Sequence, residues 1–329
     1  MATDNHLSAL TKRLLESLKE HGSVDWRSPE DLGRLSFESM LRQGEETRTL
    51  ASHGRIRLTG EGVDGSSAGL SDVGAVMTAF QRIATAFGAS RQGEKDLGRD
   101  ISRLIVQNTR LLLETAPSPG SIVLAVTPAM TALDEVGEPD GQHRLFSQDG
   151  DDDQVLDIAV ADVIEIFSQG SEIGPDPDKS EFIRKLTVLG PRAASAVRDL
   201  SKTLSQAGFD AEIDWTQPGR ATRSVEVAAH TARRIVDVVQ RKKLDEQPVT
   251  IIGELLTVSA VEQWFVRDDR GQVFHIKLGD VSSEDIRGLA VGQRVRIDAT
   301  LKVERSSGGA TKMTYVLRTF RVEGESANE

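Results

Sequence analysis

The apolar residues of this 329-residue chain change their spacing at Pro248, and that change limits the fold more than any other feature. Upstream they recur at three and four residues. Val73, Val76, Met77, Phe80, Ile83, Ala84 and Phe87 form one stripe along a helix. Downstream they alternate, with Val295, Ile297, Ala299, Leu301 and Val303 on one face of an extended strand. A period that switches in this way implies an α+β segment followed by an all-β module. The linker Asp245-Glu246-Gln247-Pro248 marks the boundary, and charge divides there too. Of 40 Lys+Arg and 51 Asp+Glu, residues 248–329 hold 11 and 12, so about −10 of the formal −11 lies upstream.

Three regions follow from this: a helical N-terminal arm at 1–53, an α+β domain at 54–244 and a β-barrel domain at 245–329. In the arm, Leu7, Leu10, Leu14 and Leu18 share a helical face. Ser28-Pro29-Glu30-Asp31 then starts a second helix with only a thin apolar stripe. Helices this polar fit an arm that docks a protein partner. In the central domain Arg55–Thr59 alternates as a strand, and Ser71 caps the amphipathic helix. Lys95–Asn108 reads as a helix, and Arg110–Ala116 and Ser121–Thr127 form a hairpin around Pro117-Ser118-Pro119-Gly120. Helices are expected over Gln154–Phe167, Ser180–Leu189, Pro191–Gln206 and Ser224–Lys243, with a strand over Phe209–Trp215. About four strands in a small mixed or antiparallel sheet result.

Beyond the linker, strands are expected over Val249–Ser259, Gln263–Arg267, Gln272–Leu278, Arg294–Val303 and Lys312–Val322. A short helix capped by Ser282 or Ser283 separates the third from the fourth, and Gly253 interrupts the long first strand where a bend is needed. The order β-β-β-α-β-β, with Val291-Gly292-Gln293-Arg294-Val295 leading into strand four, resembles a five-stranded OB-fold barrel. That resemblance implies binding on the face of strands two and three. With Trp264, Val266, Phe274, Ile276 and Leu278 inward, Phe265, Arg267, His275 and Lys277 point outward, an aromatic among cations as base stacking and phosphate contact require. The alternative is that Phe265 packs on another domain and the charges are ordinary solvated positions.

Several chemistries are excluded. There is no cysteine, so no disulfide, thiolate metal site or cysteine nucleophile. The six histidines are scattered, and no metal is expected. Gly60-x-Gly62-x-x-Gly65 lies too far ahead of its helix to cradle a pyrophosphate. Asp149, Asp151 and Asp153 open like a calcium loop, but Gln154 and Val160 occupy the positions needing glycine and glutamate. No nucleophile elbow or phosphate-binding loop occurs, so neither a catalytic residue nor a cofactor is assigned. Arg233, Arg234, Arg241, Lys242 and Lys243 give the last central helix a basic end, which complements its dipole or forms a secondary phosphate-contacting strip. Met1–Asn5 is polar with no apolar run behind it, and no membrane-spanning stretch follows, so the chain is read as soluble and cytoplasmic. The leading reading is a non-catalytic adaptor acting through protein contacts. The alternative is single-stranded oligonucleotide binding on the barrel, and a third is an enzyme with an unrecognised carboxylate site. Oligomeric state is left open.

Overall fold

The computed structural model describes residues 52–113, 121–130, 154–174, 177–218, 220–279, 286–305 and 311–323. The arm up to residue 51, the Pro117–Gly120 turn, the Asp149–Asp153 run and the Ser282/Ser283 cap lie outside them.

Strand β1 (His53–Thr59) buries Ile56 and Leu58 while Arg57 faces solvent. Two short strands, β2 (Val63–Asp64) and β3 (Ser67–Ala68), pair before helix α1 (Leu70–Arg91). This helix is capped at Gly69 with no side-chain hydrogen bond, two residues ahead of the expected Ser71 cap. After α1 comes α2 (Arg103–Asn108), far shorter than the helix expected over Lys95–Asn108. Leu97 explains the difference, because it is buried with Leu301 and Val303 of the barrel instead of turning with a helix.

Next come β4 (Leu111–Leu113), β5 (Ile122–Pro128), α3 (Val155–Ser171), α4 (Glu181–Leu189), α5 (Pro191–Ala207), β6 (Asp210–Thr216), β7 (Arg223–Val227) and α6 (Ala229–Arg241). The sheet order is β4-β5-β1-β6-β7, antiparallel throughout. Strand β7 corrects the expected Ser224–Lys243 helix. Val225 and Val227 alternate with exposed Ser224 and Glu226, and pairing with Ile213 and Ala211 on β6 fixes that period of two. The sheet's apolar face shares one core with α1, α3, α5 and α6. Within it Trp215 Nε1 donates to Asp157 at 2.7 Å, satisfying a buried donor.

The C-terminal strands β8 (Glu246–Leu255), β9 (Trp264–Asp268), β10 (Val273–Lys277), β11 (Arg294–Arg305) and β12 (Thr311–Val322) close into a barrel of order β10-β12-β11-β8-β9. The first strand pairs with the second and fourth, and the third runs parallel to the fifth. This is the Greek-key closure of an OB-like barrel. Gly253 is the close-approach point, since a Cβ there would lie 2.2 Å from the Arg267 carbonyl oxygen. Inside, Trp264 meets Phe320 edge to face at 5.2 Å, and its Nε1 donates to the Ser259 carbonyl at 2.8 Å.

Residues Ala51–Glu329 form one unit, in which the barrel docks through one end of β8 and β11 onto α5. Arg198 of α5, 5% exposed, donates to Asp245 and to the Val303 carbonyl at 2.7 Å. Gln247 accepts from the Leu97 amide at 2.5 Å and donates to Asp96 at 3.0 Å.

Candidate functional site

The β9–β10 hairpin is set by Asp268, whose Oδ1 accepts from the amides of Arg270 at 2.9 Å and Gln272 at 2.8 Å. Trp264, Val266 and Ile276 are fully buried, so strand alternation turns Phe265, Arg267, His275 and Lys277 outward. Phe265 pairs directly with His275, their rings edge to face with centroids 4.5 Å apart. The β8–β9 connection is pinned behind them: the Leu256 amide donates to the Phe265 carbonyl at 2.7 Å, and the Phe265 amide donates to Thr257 Oγ1 at 2.9 Å. Lys277 is exposed on the same hairpin and has no ion pair among the described residues.

Arg267 is different. Its Nη2 contacts Glu254 Oε2 at 2.6 Å, with the two side chains 48% and 44% exposed. A pair that open to water contributes only about 0–1 kcal/mol, so an anionic ligand competes for it readily. The other acids of the hairpin are engaged as well. Asp268 serves the turn, and Asp269 takes both terminal nitrogens of Arg294 at 2.7 Å. The Arg294 hydrogen bonds hold the Asp269 carboxyl below the usual carboxylate range, and Asp269 with Glu323 pushes the guanidinium upward.

The basic strip lies elsewhere. Arg233, Arg234, Arg241, Lys242 and Lys243 are all exposed. Arg234 donates to the Gly174 carbonyl at 2.9 Å, and Arg241 donates to the Asp237 carbonyl at 3.3 Å. Beyond this strip, eight residues of β8 separate Glu246 from Glu254, the partner of Arg267. That is about 26 Å of strand, so the fold does not bring the strip and the face together.

A cleft of about 910 Å³, walled by Ile56, Phe80, Leu113, Leu124, Val303 and Met313, opens between the central sheet, α1 and the barrel. Sequence reasoning missed it because its walls come from segments far apart in the chain. Half-exposed apolar side chains on its walls, Leu112 and Leu113 of edge strand β4 with Val106 of α2 and Met313 of β12, are its local signal. The glycine-rich turn after β1 is also occupied, since the Gly62 amide donates to the Gly208 carbonyl at 3.1 Å. Among the described residues no group of three or more acidic or histidine side chains is placed to hold a metal. No described helix is long and apolar enough to cross a membrane.

No family model and no curated protein matches the chain. Among solved structures it is similar to a mitochondrial single-stranded DNA binding protein from S. cerevisiae, at 13% identity and a TM-score of 0.21, over 26% of this chain and 100% of that one. A selenomethionine form from the same organism gives 15% identity and a TM-score of 0.21, over 24% of this chain and 96% of that one.

Proposed function

We propose that this chain binds single-stranded nucleic acid on the outer face of β9 and β10. One observation carries the reading: an outward Phe265–His275 pair on a barrel hairpin, with Lys277 beside it, a cation with no ion pair among the described residues. Ring faces stack bases of any sequence, and a neighbouring cation meets the backbone. The charge division supports it, since the barrel segment carries about −1 of the total −11. In this reading the chain is a binding protein rather than an enzyme. The adaptor reading rests on the arm at 1–53, which lies almost wholly outside the described residues. Nothing observed on the rest favours it.

The test is anisotropy of a labelled single-stranded oligonucleotide against the full chain at two salt concentrations. Phe265→Ala should lose about 1–3 kcal/mol, the worth of one stacked base. Lys277→Ala should flatten the logarithmic salt slope by about 0.7, the value of one phosphate contact on a single strand. Absence of binding at low salt, or full binding by Phe265→Ala, refutes the reading.

A further inference from the structure

On another part of the barrel wall, Arg296 of β11 stands directly opposite Arg321 of β12. Both are exposed, and neither has a hydrogen bond or ion pair among the described residues. Like charges directly opposite on a sheet face repel, so this pairing opposes folding unless something anionic lies across it. The nearest carboxylates along the two strands do not serve. Asp298 accepts from Thr250 at 2.7 Å and from Thr319 at 3.4 Å, while Glu323 accepts from Arg294 at 3.0 Å. On its third side Arg296 adjoins Ile252 of β8, which offers no charge.

We propose that Arg296 and Arg321 clamp the phosphodiester backbone of the same single strand whose bases stack on Phe265, an inference that rests on the β9–β10 reading. Two planar guanidinium forks side by side suit phosphate oxygens, which each can engage through paired N–H donors. The register places the clamp. Arg296 aligns with Ile252, the next outward row holds Glu254 and Arg267, and Phe265 lies one row further. Two rows and two strands separate Phe265 from Arg296, about 16 Å at ordinary strand spacings. A ligand of one or two nucleotides reaches only the rings. One within the range of about 4–16 nucleotides that OB barrels occupy reaches both.

The experiment compares labelled single strands of two and twelve nucleotides on the full chain, wild type against the double variant Arg296→Gln/Arg321→Gln. The dinucleotide should bind both proteins alike. For the twelve-mer, losing two phosphate contacts should flatten the logarithmic salt slope by about 1.4, so its weakening between 50 and 200 mM salt shrinks about sevenfold. The urea midpoint of the double variant should stay level or rise, because a repulsion has been removed. A twelve-mer slope equal to wild type, with binding still sensitive to Phe265→Ala, overturns the clamp and leaves the β9–β10 face standing. A wild-type chain that binds neither strand overturns both.

Discussion

Replacing Arg198 with Met tests how the barrel is held to the central domain. Arg198 and Asp245 are 5% and 4% exposed, and the guanidinium also serves the Val303 carbonyl and Asp199. Asp199 retains Arg82, and the Val303 carbonyl retains Ser195 Oγ at 3.4 Å. Asp245 keeps no other ion pair among the described residues, so the variant leaves a buried carboxylate unpaired. Stranding one member of a buried pair costs about 3–5 kcal/mol. That is about a fifth or more of a typical total stability of about 5–15 kcal/mol. Urea unfolding followed by Trp215 and Trp264, at 1% and 0% exposure, reads both sheets in one titration. With a slope of about 2–3 kcal/mol per molar, the midpoint should fall by roughly 1–2 M. The double variant Arg198→Met/Asp245→Leu should recover most of that loss, because an apolar pair avoids the desolvation cost of two charges. A single variant losing under about 1 kcal/mol, or a double variant no better than the single, would refute the reasoning.

Three further outcomes follow from the barrel. Gly253→Ala drives a methyl into the Arg267 carbonyl, 2.2 Å away, and neither backbone can yield cheaply. A loss of about 1–3 kcal/mol in urea is expected, with weaker oligonucleotide binding because β9 carries Phe265. Burial pushes the phenol of Tyr315, the single tyrosine, upward. Stability from this group is intact below its unfolded pKa of about 10 and is lost as pH rises through the higher folded value. Ultraviolet titration should show tyrosinate forming later in native protein than in urea, and coincident curves would contradict the burial. Asp269 contributes stability above the ordinary carboxylate pKa and loses it as pH falls through its depressed folded value. Carboxyl-carbon NMR should show Arg294→Gln returning that titration to the ordinary range; an unmoved titration would show the Arg294 hydrogen bonds are not its cause.

Where one period explained the residues, the sequence was readable. Alternation over Arg294–Val303 marks β11, and the Val73–Phe87 stripe marks the buried side of α1. Parity alone turns Phe265, Arg267, His275 and Lys277 outward, and Gly253 sits at the approach that needs it. Failures occur where distant partners decide. Val225 falls on the helical stripe of Ala232 and Ile235, and pairing with β6 makes Val225 and Val227 alternate buried positions of a strand instead. Leu97 looks like an ordinary helix residue until Leu301 and Val303 arrive from about 200 positions away. The candidate site shows the same limit. Sequence gives Arg267 and Lys277 equal standing, but cross-strand register hands Glu254 to Arg267 alone. The long-range Asp269–Arg294 fork has no local signature either.

The strand-borne cations of the barrel fall into two sets among the described residues. Arg267, Arg294, Lys302 and Arg318 each meet a carboxylate. Lys277, Arg296, Lys312 and Arg321 meet none. Shortage of acid does not explain the second set, because the segment holds 12 acidic residues against 11 basic ones. Nor does stability favour it, since two of its members oppose each other. If an external polyanion is what the second set serves, charge removal should separate the two sets cleanly. Lys302 pairs at 2.6 Å with Glu246, which is 8% exposed on the side chain, so Lys302→Gln should lower the urea midpoint and spare the oligonucleotide salt slope. Lys277→Gln should spare the midpoint and flatten the slope by about 0.7. Equal behaviour of the two variants in both measurements would mean that pairing state says nothing about function here, and the outward face would lose its main support.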